Sequence, residues 1–182
     1  MKELSLNLLD IAENSVAADA QHITITLVQN GDLLTLTVAD DGRGMTEDFV
    51  RTVTDPFCTT RTTRKVGMGI PLLKLAAEQT GGILTVTSRP SSFYPETHGT
   101  EITATFHTEH IDCTPLGDTV STVKTLIQCN PQIDFSFSHT INGKEVRLDT
   151  AELRTVLGEV PLNTYEVIKW IEDSLNEQYG AL

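Results

Sequence analysis

The sequence predicts an α+β fold in which helices cover one face of a mixed β-sheet. Up to residue 107, four stretches alternate apolar and polar residues as strands do, and two longer stretches have helical spacing. Asn-Gly pairs at residues 30–31 and 142–143 mark tight hairpin turns. Such a mixture of hairpins and helices is typical of an α/β sandwich. The pattern changes near residue 109, so we predict one domain over residues 1–108 and a small α+β extension over residues 109–182.

The composition limits the kinds of partner that the protein can have. The chain has 182 residues, enough to bury a core without staples, and its three cysteines form no Cys-x-x-Cys pair. This cysteine usage favours a reducing compartment, and we predict a cytoplasmic protein. The formal net charge of -12 disfavours non-specific binding to nucleic acid or to an anionic membrane. No apolar run is long enough to cross a bilayer, and the first residues lack the pattern of a secretory leader.

The first element is a predicted helix over residues 4–20, because its apolar residues recur at helical spacing. Asn7, Asp10 and Asn14 are three and four residues apart, so we expect them to form a row on another, displayed face. The amide oxygen of Asn14 is a ligand that Mg²⁺ accepts, and Asp10 could orient or deprotonate a water near that metal. The alternative is an ordinary solvated polar face.

The next elements are strands over residues 22–28 and 32–39, joined by the first Asn-Gly pair. The second strand leads into a turn with the sequence Asp-Asp-Gly-Arg-Gly-Met, which begins at Asp40 and contains Gly42 and Gly44. Glycine permits close approach to the backbone, and a carboxylate beside it suits a flat ring with an amino group, such as adenine. The alternative is a plain tight turn between strands.

A short helix is predicted to begin at residues 46–48, where acidic residues occupy a first turn. Residues 55–69 are rich in hydroxyl groups and cations and lack apolar periodicity, so we predict a long loop of the kind that often forms a lid. Gly67 and Gly69 lie just before a helix predicted from Pro71 to about Thr80. The N-terminus of that helix and the nearby cations favour a bound phosphate. A glycine-rich hinge with solvated charges is the alternative.

The remaining elements follow the same signals. Strands are predicted over residues 83–88, 100–106, 133–140 and 144–148, and helices over residues 118–129, from Asp149 to about Leu157, and from Asn163 or Thr164 to about Tyr179. Residues 112–118 are a predicted linker. In the last helix Val167, Trp170, Ile171 and Leu175 have the spacing of core residues. No catalytic cluster is evident beyond residue 109.

Four of these motifs, taken in order, resemble those of the GHKL (Bergerat-fold) ATP-binding family, which includes type II topoisomerases, Hsp90, sensor histidine kinases and MutL. The resemblance covers residues 4 to about 107. It implies a Bergerat-type α/β sandwich, ATP and Mg²⁺ as ligands, Asn14 as the magnesium ligand, Asp10 near the position of a water-activating glutamate, and Asp40 as the residue that recognises the adenine amino group. The nucleotide-binding residues that it implies are Asn14, Asp40, Gly42, Gly44, Met45, Thr60, Lys65, Gly67, Met68, Gly69 and Thr100.

The sequence departs from the family pattern at two of these positions. Asp10 is one methylene shorter than the glutamate of ATPase members, and Lys65 stands where sensor kinases usually have a glycine. No helical hairpin with a phosphoacceptor histidine precedes the first motif in this sequence. Three functions therefore stay open: an ATP-dependent switch or ATPase that acts on a protein partner, a stand-alone kinase that phosphorylates serine or histidine of a partner in trans as anti-sigma-factor-like kinases do, and an ATP sensor without turnover. A homodimer is a further open alternative.

Overall fold

The computed structural model describes residues 3–54 and 68–182, which form a six-stranded sheet and six helices. In chain order the elements are α1 (Leu4–Ala17), β1 (His22–Asn30), β2 (Leu33–Asp40), α2 (Glu47–Val53), α3 (Gly69–Gln79), β3 (Leu84–Arg89), β4 (Gly99–His107), α4 (Thr119–Cys129), β5 (Asp134–Ile141), β6 (Lys144–Asp149), α5 (Thr150–Leu157) and α6 (Tyr165–Gly180). Among these residues no helix has both the length and the apolar character needed to cross a bilayer.

The strands are arranged in the order β3-β4-β2-β1-β5-β6. The pair of β1 and β5 is parallel and the other neighbouring pairs are antiparallel, so the sheet is mixed. This confirms the predicted α+β class. The Asn142-Gly143 turn has positive φ at both residues, as a two-residue hairpin of this kind requires. The first hairpin turns one residue later than predicted, at Gly31-Asp32, because Asn30 still pairs with Leu33.

One face of the sheet carries the core. Alternate residues of β1, such as Ile23, Ile25 and Leu27, are buried, while the threonines between them are not. On the buried face α1 contacts α3 and α4, and α4 contacts α6. The helices of this layer therefore lie in the order α3-α1-α4-α6, and α1 is one of the two inner helices. The buried apolar side chains of the described residues form a single cluster that extends from α1 to α6.

Residues 109–182 continue the sheet and the core rather than standing apart from them. β5 pairs with β1 over its full length, and α4 packs along α1. The linker also binds the start of α1: the backbone nitrogen of Leu4 donates to the carbonyl of Pro115 at 2.9 Å, and that of Ser5 donates to the carbonyl of Leu116 at 2.8 Å. The predicted boundary at residue 108 is therefore crossed by both hydrogen bonds and packing.

Two expectations about exposure are wrong. Asn7 was expected on a displayed face of α1, yet it is only 2% exposed, because α1 is covered on both flanks. Trp170 was expected in the core of α6, yet it is 52% exposed. The buried stripe of α6 is centred on Ile168, Ile171 and Leu175, and Trp170 projects from outside that stripe. Helix α1 also ends at Ala17, three residues earlier than predicted.

His139 on β5 is a buried polar side chain at the junction with α6. It is 2% exposed, and its Nδ1 lies 2.8 Å from the hydroxyl of Tyr179. That hydroxyl lies 3.1 Å from Oγ1 of Thr119 on α4. The Nε2 atom of His139 has no hydrogen-bond partner among the described residues. Burial penalises the charged form of the ring and so lowers the pKa of His139 from its ordinary value of 6.5.

This arrangement predicts that the protein loses stability in mild acid. The unfolded chain takes up a proton on His139 as the pH falls through about 6.5, whereas the folded chain takes it up only at lower pH. The free energy of unfolding should therefore be higher above pH 7 than at pH 5. His139→Phe should flatten this dependence in thermal melts at a series of pH values. His110→Gln, a change at an exposed histidine, should leave it as in the wild type, and an equally steep profile in His139→Phe would contradict the prediction.

Candidate functional site

A cavity with a volume of about 520 Å³ lies where α1 meets the end of β2 and the start of β4. One part of its wall is apolar and is formed by Ile11, Met45, Phe49, Val53, Ile70 and Ile102. The polar part is formed by Asn14, Ser15, Asp40, Arg43, Thr46 and Thr100. A pocket of this size, mostly apolar with a few converging polar groups, suits a small organic ligand.

The carboxylate of Asp40 is held by two hydrogen bonds at the wall of this cavity. Asp40 is the last residue of β2, and its Oδ2 accepts a hydrogen bond of 2.6 Å from the hydroxyl of Ser15 on α1. Its Oδ1 accepts one of 2.9 Å from the backbone nitrogen of Gly42. A carboxylate has about four acceptor positions, so about two remain after these bonds are made. Asp40 is therefore oriented by the protein and still able to accept hydrogen bonds from a ligand.

The adjacent carboxylate has a different role. Asp41 accepts hydrogen bonds from the backbone nitrogens of Gln21 and His22, at 2.7 and 2.9 Å, and lies 2.9 Å from Nδ1 of His22. Burial opposes ionisation of Asp41, but these hydrogen bonds outweigh it and lower the pKa of the carboxyl below its ordinary value. Asp41 fastens the turn to the start of β1, and it is Asp40 that faces the cavity.

The two glycines of the turn are required by protein packing. Gly44 lines the cavity with φ of 66°, and a Cβ there would lie 2.0 Å from the carbonyl oxygen of Arg89. A Cβ on Gly42 would lie 2.8 Å from the carbonyl oxygen of Ala18. Both positions therefore exclude a side chain because other backbone segments approach them closely. Gly42 is behind the cavity wall, where its N–H supports Asp40.

Helix α1 brings Asn14 to the cavity but leaves Asp10 outside the wall that the described residues form. Asn14 is half-buried and Asp10, one turn earlier, is exposed. Asp10 lies against the first residue of α3, since a Cβ on Gly69 would be 3.0 Å from the Cβ of Asp10. The N-terminus of α3 thus lies beside the part of α1 that carries Asp10 and Asn14, and Ile70 of its first turn lines the cavity.

The other predicted site residues fall into three groups. Met45 and Thr100 line the cavity with Asp40 and Gly44. Met68 and Gly69 begin α3 but do not line the described cavity, and Met68 is exposed. Thr60, Lys65 and Gly67 lie outside the described residues.

Several residues that form the site were not predicted. Ser15 was not among the predicted site residues, although its hydroxyl holds Asp40. Ser88 accepts a 2.7 Å hydrogen bond from the backbone nitrogen of Met45, which it reaches from β3. Arg43, Thr46 and Phe49 line the cavity from the turn and from α2. Of these, Arg43 lies within the turn that begins at Asp40 and Ser15 is adjacent to Asn14, so their positions carried a signal, whereas those of Ser88 and Phe49 carried none.

The next question is whether the described side chains alone could form a metal site. Within residues 3–54 and 68–182, no group of three or more His, Cys, Asp or Glu side chains has the geometry to hold a metal ion. Asn14 supplies an amide oxygen at the cavity wall. This donor set fits Mg²⁺ held by one or two protein ligands together with ligand phosphates and water, and it does not fit a closed protein cage.

A mixed sheet with one helical layer, and a cavity with an oriented carboxylate, define an α+β protein that binds small molecules. The chain belongs to the family described as Histidine kinase-, DNA gyrase B-, and HSP90-like ATPase, whose model matches residues 1–110. This is the GHKL family that the motifs resemble, so that resemblance is confirmed. Membership implies that the chain binds ATP through a histidine kinase-like ATPase domain.

Three individual proteins illustrate the similarity. A protein of Rickettsia bellii named as an NtrY-like sensor histidine kinase is 28% identical over 112 residues, which are 61% of this chain and 17% of that protein. The ATPase domain of Aquifex aeolicus MutL, solved with ADP, has a TM-score of 0.55 and 14% identity over 97% of this chain and 70% of its own. The N-terminal domain of a DNA repair protein has a TM-score of 0.58 and 15% identity over 82% of this chain and 53% of its own. The two structures show a shared fold, and the chain spans about a sixth of the Rickettsia relative.

Proposed function

We propose that the protein is an ATP-dependent switch or slow ATPase that binds Mg-ATP and acts on a protein partner in the cytoplasm. The observation that carries this proposal is the Asp40 carboxylate, fixed by Ser15 and Gly42 at the wall of a largely apolar cavity. The identity of the ligand as ATP is inferred from family membership.

Adenine fits the apolar part of this cavity. Its ring would lie among aliphatic side chains such as Ile11 and Ile102, with Phe49 of α2 at the side. Its amino group would donate to the free acceptor positions of Asp40, which gives the site a preference for a base with an exocyclic amine. The hydroxyl of Thr100 pairs with that of Ser88 at 2.8 Å, which orients it at the same wall.

The phosphates would extend from the adenine toward Asn14 and the N-terminus of α3. Backbone N–H groups and the helix dipole at that terminus favour anionic oxygens. Asn14 would hold Mg²⁺ through its amide oxygen. When bound, the ion neutralises charge on the phosphate oxygens. Asp10 stands next to the start of α3, where its carboxylate could take up a proton from a water that approaches the terminal phosphate.

This assignment predicts the behaviour of Asn14→Ala. The variant should bind ATP with an affinity that no longer depends on magnesium, because the one protein oxygen assigned to the ion is gone. Titrations of wild type and variant with ATP, with and without Mg²⁺, measure the dependence. Glu13→Ala is the matched control, since Glu13 is exposed and does not line the described cavity. Retained magnesium dependence in Asn14→Ala would place the ion on another residue.

The match to a sensor histidine kinase relative favours a second candidate, a kinase that transfers the phosphoryl group to a partner protein. Purified protein with labelled ATP separates the two. Phosphate released to water without a partner supports the switch or ATPase, and label that appears only on an added partner supports the kinase. A protein that binds ATP but does neither is a sensor. Asp10→Asn should reduce turnover in the first case, and unchanged turnover would remove Asp10 from the role of base.

We further propose that residues 1–108 bind the nucleotide and that residues 109–182 present its state to the partner. The bonds from Leu4 and Ser5 to the linker support this, because they join the helix that carries Asn14 directly to the later part of the chain. A pull-down with ATP and then with ADP tests the proposal. A partner retained in only one nucleotide state is the expected result, and equal recovery in both states counts against a switch.

A further inference from the structure

We propose that His98 is a positioning residue for the purine-binding carboxylate, and that through it the loop between β3 and β4 sets the preference of the site for a 6-amino purine. This inference rests on the proposed recognition of adenine by Asp40. His98 lies outside the cavity wall, and none of the sequence motifs includes it. Its ring nitrogen Nδ1 is 2.6 Å from the carbonyl oxygen of Gly42, in the turn that follows Asp40.

The peptide unit between Gly42 and Arg43 is held at both of its polar ends. Its carbonyl oxygen receives the hydrogen bond from His98, and its N–H, which belongs to Arg43, donates to the carbonyl of Ala18 at 2.9 Å. Two bonds on opposite sides of one planar unit fix its orientation. The preceding N–H, that of Gly42, then points at Oδ1 of Asp40 at 2.9 Å. His98 and Ala18 together therefore hold the backbone that aims the carboxylate.

The chemistry of the contact determines the tautomer of His98. A carbonyl oxygen can only accept, so Nδ1 must carry the proton in this contact. The backbone that follows His98 packs against the end of β2, because the next residue, Gly99, has φ of 139° and a Cβ on it would lie 2.0 Å from the carbonyl oxygen of Asp40. The loop is bonded to the turn a second time, by the backbone nitrogen of Ser91 to the carbonyl of Arg43 at 2.9 Å.

The consequence concerns specificity. Loss of the His98 bond would leave the Gly42 carbonyl without its donor and allow the peptide unit to rotate, which weakens the support of Oδ1 by the Gly42 N–H. A less fixed Asp40 would accept the 6-amino hydrogen of adenine less well. Binding of the ring and the phosphates depends on other residues. The expected effect is therefore a loss of discrimination between bases, with a smaller loss of overall affinity.

The test compares ATP with purine riboside triphosphate, which differs from ATP only in lacking the 6-amino group. Calorimetry gives the ratio of the two dissociation constants for the wild type, His98→Leu, His98→Asn and Thr97→Ala. Wild type should prefer ATP, and His98→Leu should reduce that preference by roughly three- to tenfold. His98→Asn should restore it, because the amide nitrogen of asparagine occupies nearly the position of Nδ1 and can donate. Thr97→Ala changes an exposed neighbour in the same loop and should match wild type.

The possible outcomes separate the two levels of the proposal. A wild type that binds neither nucleotide, or both equally, overturns the adenine assignment and this inference with it. A wild type that prefers ATP, with the preference intact in His98→Leu, overturns the role of His98 alone. Equal loss of both affinities, or failure of His98→Asn to restore the ratio, would also overturn it, since either result indicates general damage to the loop. If His98→Leu does not fold, His98→Asp replaces it, because an ionised carboxylate cannot donate to the Gly42 carbonyl.

Discussion

Asp40→Asn is expected to weaken ATP binding by about 1–3 kcal/mol, the cost of an unmatched polar contact in a buried site. The two carboxylate oxygens already accept from the Ser15 hydroxyl and the Gly42 N–H. An asparagine amide has one oxygen, so its NH₂ group must face either one of these donors or the amino group of adenine. Although the Ser15 hydroxyl can rotate to accept from that NH₂ group, one of the two acceptor positions is lost whichever way the amide is turned. Calorimetry with ATP and Mg²⁺ measures the loss.

Asp41→Asn provides the matched control for this experiment. It makes the same chemical change at the next residue, where the carboxylate faces Gln21 and His22 and not the cavity. ATP affinity in this variant should stay within about twofold of wild type, since its remaining oxygen can still accept from the backbone. Thermal melts of both variants show whether the fold is intact. Unchanged affinity in a folded Asp40→Asn protein would mean that the carboxylate does not contact the base.

Local features of the fold were readable from the sequence because they depend on neighbouring residues. Asp118 and Asp149 were predicted near helix starts, and their side chains accept from the backbone nitrogens of Ser121 at 2.8 Å and Glu152 at 3.1 Å. The Asn142-Gly143 turn was predicted for the same reason, since glycine and asparagine tolerate positive φ. Each of these signals is complete within a few residues.

The site was only partly predictable, because its supporting contacts join distant parts of the chain. Asp40, Asn14 and Thr100 lie in motifs with recognisable order. Ser15 bonds Asp40 from 25 residues earlier in the chain, and His98 bonds the adjacent turn at Gly42 from 56 residues after Gly42. A single serine or histidine at such a separation has no periodicity or spacing that would reveal its partner.

The order of the strands was likewise beyond the sequence pattern. The alternation of apolar and polar residues indicates that a strand has one buried face, but it does not indicate which strand is its neighbour in the sheet. β5 and β6 were therefore assigned to an extension, although β5 lies in parallel beside β1 and completes its hydrogen bonding. In this structure β1 is an interior strand only because residues from the later part of the chain flank it. We therefore expect the first 108 residues to depend on the remainder for their stability.

Phe135→Ala measures this dependence and is expected to destabilise the whole protein by about 3–5 kcal/mol. Phe135 lies on β5, is 1% exposed, and is in register with Ile23 of β1. Its removal leaves a cavity in the core that both parts of the chain share, and the neighbouring side chains can fill it only partly. Denaturant unfolding gives the free energy. Phe93→Ala is the control, because Phe93 is 74% exposed and its loss should change stability by no more than about 0.5 kcal/mol.

Denaturant unfolding followed by the fluorescence of Trp170, the only tryptophan in the sequence, also tests whether the two parts of the chain unfold cooperatively. Trp170 lies on α6, remote in sequence from every residue assigned to the nucleotide. If the two parts unfold together, ATP and Mg²⁺ must raise the midpoint seen by Trp170 fluorescence, because a ligand that binds only the folded state stabilises the entire cooperative unit. Phe135→Ala should lower the denaturant midpoint seen by tryptophan fluorescence. It should lower the denaturant concentration at which half of the ATP binding is lost by the same amount. Separate transitions for tryptophan fluorescence and for ATP binding would show that residues 109–182 fold on their own, and would contradict the shared core.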